Sequence, residues 1–155
     1  MALKVLGFGT SGNFTGAITA GGGIVGTAPA PAAGRGFLVL LGKLVGLNLN
    51  SVAAATIFTT PGAGFTRCVP HVIVLDNFSG AAATTVVSFG ASGTPTDFLG
   101  VQTLTNSAAN KQLQFYPAVG AAAATYGTGV AFVVNETVAL GSAATCDVEV
   151  FGWYE

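Results

Sequence analysis

The sequence predicts an all-β fold: an antiparallel β-sandwich, jelly-roll-like, of about eight strands, preceded by a Gly/Ala/Pro-rich N-terminal arm. Three observations predict it. Short apolar runs rich in Val, Ile, Phe and Thr recur along the chain, the residue types that pack best on a pleated surface. Several runs alternate with period two, as in Leu113 and Phe115 against Gln112 and Gln114, or Cys146, Val148 and Val150 against Asp147 and Glu149. Such alternation places one face inward and one outward. Between the runs stand Gly, Pro, Asn and Ser clusters, and no segment carries the 3.6-residue apolar rhythm of a helix.

Residues 1–36 are set apart as an extended arm, dominated by Gly, Ala, Thr and Pro, with single large side chains at Phe8, Phe14, Ile18 and Ile24. A segment that buries so little does not offset its own ordering entropy until something covers it. Within it, Ala28-Pro29-Ala30-Pro31-Ala32-Ala33 favours polyproline II. Spaced apolar anchors on such a thread suit docking onto a neighbouring subunit. A first hairpin, Leu3 to Phe8 with Thr15 to Thr19, folded onto its own domain is the other reading.

The sandwich domain covers 37–155 and opens with Phe37 to Leu41 and Leu44 to Leu49, read as a pair of strands. Thr56 to Leu75 reads as a hairpin closed by Pro61-Gly62-Ala63-Gly64, because proline presets the turn and glycine admits the positive φ of a tight reversal. Pro70 cannot donate to a ladder, so it implies an edge position or a bulge. After a turn at Asp76 to Gly80 come Thr84 to Phe89, Phe98 to Leu104, Lys111 to Tyr116, Val130 to Thr137 and Ala144 to Phe151. Counted from Leu44, these make about eight strands. The alanine runs at 53–55, 81–83, 118–124 and 143–144 are short and read as loops or strand ends.

Composition narrows the function classes. Charged residues make up only 7% of the chain, against about 25% in a typical soluble domain. A free surface of that kind is poorly protected against association, so neighbouring chains are expected to cover part of it. Net charge is −1 with no Lys/Arg run, which lacks the electrostatic footprint of a nucleic-acid binder. The apolar window Phe37 to Leu47 is broken by Lys43 and is far shorter than the roughly 20 residues of a membrane span. No membrane partner is expected. Glycines and polar residues at 7–12 also interrupt any signal-peptide core.

Each candidate for chemistry has an ordinary reading beside it. Gly7-Phe8-Gly9-Thr10-Ser11-Gly12 matches G-x-G-x-x-G, but a dinucleotide site needs a helix opening at the third glycine and an acidic residue about 20 positions on. The chain's first acidic residue is Asp76. His71 is the sole histidine, so no His cluster holds a metal, and it reads as structural because Cys68 alternates to the opposite face. Gly90-Ala91-Ser92-Gly93 reads as a turn. Asp147 and Glu149 share one face of the last strand and read as simply solvated carboxylates. Cys68 and Cys146 suit buried thiols, or a bridge if their strands are adjacent. No catalytic, metal or cofactor site is expected, and the chain is not expected to be an enzyme. Trp153 and Tyr154, within Phe151-Gly152-Trp153-Tyr154-Glu155, have the composition of an interface, or else they close the core.

The order Val45-Gly46-Leu47-Asn48-Leu49-Asn50, Thr56 to Phe65, Val72-Ile73-Val74, Val86-Val87-Ser88-Phe89-Gly90 and Val148 to Tyr154 resembles small jelly-roll structural proteins of tailed bacteriophages, in particular capsid cement or decoration proteins. The resemblance covers 44–155. It implies a homotrimer on the outer capsid surface of the virion, made in the host cytoplasm, whose partner is the major capsid protein and which clamps neighbouring capsomers. Phe8, Phe14, Ile18, Ile24, Trp153 and Tyr154 are the expected interface residues. Fibre or tail-tip domains show similar patterns, and there Trp153, Tyr154, Tyr116 or Tyr126 would stack on a host receptor or glycan.

Overall fold

The computed structural model describes residues 38–117 and 124–155. The expected arm, 1–36, and with it Phe8, Phe14, Ile18, Ile24 and the glycine motif at 7–12, lies outside the described residues. Eight strands follow in order: β1 Val39–Asn48, β2 Ala54–Thr59, β3 Cys68–Asp76, β4 Val86–Ala91, β5 Thr94–Thr103, β6 Leu113–Phe115, β7 Ala131–Val138 and β8 Thr145–Tyr154. No described residue is helical.

Two four-stranded antiparallel sheets result, ordered β1-β8-β3-β6 and β2-β7-β4-β5. The pairs β1·β8, β2·β7, β3·β6 and β4·β5 are those of one long strand hairpin rolled upon itself. The contacts β3·β8 and β4·β7 close the roll. That is the jelly-roll arrangement, in which two Greek keys enclose one core.

Inward positions of both sheets fill that core. Phe132 stacks on Phe58 at 5.2 Å and meets Tyr126 and Phe98 edge-on at 5.3 and 5.7 Å. Phe89 of one sheet lies 6.2 Å from Phe115 of the other. Leu49, Ile73, Leu75, Val87, Val134, Val148 and Val150 are fully buried around them.

Two expectations need correction. Phe37 to Leu41 and Leu44 to Leu49 are not a strand pair: from Val39 onward they form the single strand β1, with register shifts at Leu40/Gly42 and Leu44/Leu47. Gly46 has φ of 68° and fills the left-handed position of the second irregularity, as glycine does in a bulge. Gly42 and Gly46 thus stand at the two irregularities of one continuous strand.

Thr56 to Leu75 is not a hairpin either. β2 pairs with β7, whereas β3 pairs with β8 and β6, so Pro61 to Gly64 carries the chain from one sheet to the other. Thr60 shows why. Its backbone and hydroxyl bond to Gly127, Gly129 and Val130, tying this end of β2 to the β7 side. Turn chemistry fixes a reversal of direction but not the partner strand.

Pro70 lies in an interior strand and takes the bulge alternative, with a register shift between Pro70 and Val72 against β8. Ser92-Gly93 is the two-residue turn between β4 and β5. Cys68 and Cys146 are free, buried thiols, which burial pushes up to about 12.

Candidate functional site

The outward face of the β1-β8-β3-β6 sheet gathers the residues with binding character. Its construction follows from the pairing. Cys146, Val148 and Val150 of β8 point into the core, so Glu149, Phe151 and Trp153 alternate outward. Three rows then cross the face: Leu40–Phe151–Val72, Lys43–Glu149–Val74–Gln114, and Val69–Trp153. Val69, Val72 and Val74 are buried but stand outside the core cluster, and they form the floor.

One half of the face is aromatic. His71 is exposed and lies between Trp153, at 5.4 Å between ring centroids, and Tyr116, at 6.2 Å and nearly perpendicular. The Tyr116 hydroxyl donates to Gln114 Oε1 at 3.0 Å, and Gln114 Nε2 donates to Gln112 Oε1 at 3.1 Å. Trp153 Nε1 donates to Glu155 Oε1 at 3.1 Å. Glu155 is anchored in turn by backbone bonds to Thr66 and Arg67 and by the Arg67 guanidinium. The indole is therefore held from below and from its edge. Leu40 and Tyr116, 52% and 54% exposed, extend the apolar area to both sides.

The other half is polar. Lys43 Nζ bridges Glu149 at 2.8 Å and Asp147 at 3.4 Å. Asp147 also accepts from the Gly46 N–H at 2.9 Å and from Asn77 Nδ2 at 3.0 Å. Asn77, the Gly46 amide and Lys43, in that order, hold the Asp147 carboxyl below its ordinary range. Asp147 and Glu149 do share a face, as expected, but they are not simply solvated: Asp147 is only 8% exposed and both belong to one ion network.

The structure separates the two predicted interface residues. Trp153 faces outward beside His71. Tyr154 turns inward, packs against Phe65 at 4.8 Å and bonds the Cys68 thiol, and its phenol is pushed up to about 12 chiefly by burial. Tyr126 is no stacking platform. It is 4% exposed and its hydroxyl donates a hydrogen bond to Asp97 Oδ1 at 2.8 Å. His71 and Cys68 lie on opposite faces of β3, one exposed and one buried. Among the described residues, no group of three or more His, Cys, Asp or Glu side chains is placed to hold a metal ion.

Two features escaped the sequence reading. His71, Tyr116 and Trp153 meet only because β3 lies between β8 and β6, and no local pattern announces that. Glu136 was legible: the inward alternation Phe132, Val134 runs on to it, and it is 1% exposed.

No family model matches the chain, and no curated protein does. Among solved structures, a chain of the cyanophage Pam1 capsid asymmetric unit is similar, with 15% identity over 80% of this chain and 91% of that one and a TM-score of 0.44.

Proposed function

We propose that this is a structural protein of a viral particle: a capsid cement or decoration protein that binds the outer shell of the virion as a homotrimer, joining copies of the major capsid protein. The observation that carries this reading is the outer face of the β1-β8-β3-β6 sheet. In a chain with 7% charged residues, that face sets Leu40, Phe151, Trp153 and Tyr116 together over a valine floor. Contiguous exposed apolar area of this kind marks a surface meant for contact. Several modest contacts held on one rigid trimer would raise effective concentration and lock a lattice. Light scattering of the full-length protein tests the first step. A trimer that Leu40→Asp or Trp153→Ala dissociates is the expected result; a monomer at micromolar concentrations overturns it.

A second reading, a phage fibre or tail-tip module binding a host receptor or glycan, draws on the His71, Trp153 and Tyr116 cluster with Gln112 and Gln114 at its rim. Aromatic faces beside planar amide side chains suit sugar rings. A glycan array that shows reproducible binding by the full-length protein, lost in Trp153→Ala, would favour this reading over the first.

A further inference from the structure

Glu136 is the strangest side chain in the described core. It lies near the end of β7, opposite Val87 of β4, in line with the inward residues Phe132 and Val134. It is 1% exposed, and neither of its carboxyl oxygens has a hydrogen-bond partner. Buried carboxylates are normally paired, because an unpaired buried charge is among the costliest groups a fold can hold.

What lies over it is the connection between β1 and β2. The Glu136 backbone N–H donates to the Ala53 carbonyl at 3.0 Å, and the Ser51 amide is close enough to influence the carboxyl. Ser51 and Ala53 also line a cavity of about 240 Å³ between the edges of β1 and β2, with Leu44, Leu47 and Asn48 on its other wall. The short loop whose Ser51 amide reaches the carboxyl thus also lines an opening to solvent.

Among the described residues, the ionisable groups around the carboxyl offer it no counter-charge. From β8 the Cys146 thiol lies within its electrostatic reach, as it does within that of Asp147 and of Asp76 at the end of β3. β2, β4 and the loop contribute no ionisable side chain here. Lys43 is held on the outer face by Asp147 and Glu149, and Arg67 by Glu155.

We propose that Glu136 is a proton-operated latch on the β1–β2 end of the sandwich: protonated, it lies sealed beneath the 49–53 loop, and deprotonated, it draws water in and lifts that loop. Burial, only partly opposed by the Ser51 amide, pushes the carboxyl up to about 7, so the latch works across neutral pH. The inference does not depend on the proposed role in a capsid.

The test uses the full-length protein. Carbon NMR of the Glu136 carboxyl should show a midpoint near neutrality. Hydrogen exchange of peptides spanning 49–53, corrected for the intrinsic pH dependence of exchange, should lose about tenfold in protection for each pH unit as pH rises toward that midpoint and level off above it, because the deprotonated fraction relative to the protonated one grows tenfold per unit until the deprotonated form dominates. Glu136→Gln should abolish the dependence. A carboxyl that titrates in the ordinary Glu range overturns the proposal, as does loop protection that stays constant with pH in the wild-type protein. The NMR titration needs no variant, so it decides even if the substituted chain fails to fold.

Discussion

Replacing Gly152 with alanine tests the packing of the β1-β8-β3-β6 sheet at its tightest point. Gly152 sits in β8 between Val39 of β1 and Pro70 of β3. A Cβ there would run into the Val69 carbonyl oxygen, Leu41 Cδ1 at 2.7 Å and the Pro70 Cα at 2.8 Å. Two of the three obstacles are backbone atoms, which cannot swing aside as a side-chain tip can. Inserting one methyl into a packed site costs about 1–3 kcal/mol, and the rigid neighbours argue for about 3 kcal/mol here. With m near 1.5 kcal/mol/M in urea, the unfolding midpoint should fall by about 2 M. Gly100 is the control: it lies in edge strand β5 with nothing within 4 Å of its would-be Cβ, so Gly100→Ala should be neutral or gain a few tenths of a kcal/mol, roughly. Equilibrium urea unfolding followed by tryptophan fluorescence reads both. If Gly152→Ala stays within about 0.5 kcal/mol of wild type, the close approach of β8 and β3 at the Pro70 bulge is wrong.

Phe132→Ala removes the ring that Phe58, Phe98 and Tyr126 all touch and should cost about 3–5 kcal/mol in the same assay. Because Cys68 and Cys146 are buried thiols pushed up to about 12, a thiol reagent at pH 8 should find neither in the native protein within minutes and both after denaturation. Stability should also depend on pH through Glu136, whose folded pKa of about 7 stands above the ordinary 4.5. The folded state then keeps a proton that the unfolded chain releases, so its contribution is complete below 4.5 and is lost as pH rises through 7, by about 3 kcal/mol in all. Urea midpoints between pH 4.5 and 8 should show this decline in wild type and not in Glu136→Gln.

Much of the fold was legible because a strand announces itself locally. Each of the eight strands counted from Leu44 has its counterpart, and β7 and β8 run where the alternations Phe132/Val134 and Cys146/Val148/Val150 placed them. Partnership was not legible. Pro61 to Gly64 has the chemistry of a hairpin turn, yet here every pair of successive strands except β4 and β5 is split between the two sheets, and β2 and β3 hydrogen-bond to strands distant in sequence. Of the candidate site, Trp153 was found by composition. The rings that complete it, His71 and Tyr116, come from strands whose adjacency no short motif encodes. Asp147 and Glu149 were correctly placed on one face, but Lys43, the partner that makes them a network, is supplied by β1 across 104 and 106 positions of chain.

The outer face and the core are built by the same strands in alternation, and this ties the shape of the face to stability. In β8 every inward position holds the sandwich together and every outward one shapes the exposed surface, and Gly152, packed against the Val69–Pro70 backbone, lies between the outward Phe151 and Trp153. Lys43 cancels one of the two carboxylate charges beside it, leaving the face close to neutral despite its polar half. A neutral, apolar and rigid face gains its contact energy from burial rather than from charge, and burial is screened far less by salt than exposed ion pairs are. Among the described residues, the sheet that presents Trp153 brings Leu40, Phe151 and Tyr116 onto the same face, so anything seated there would be held by burial over the rows that set the register of β8.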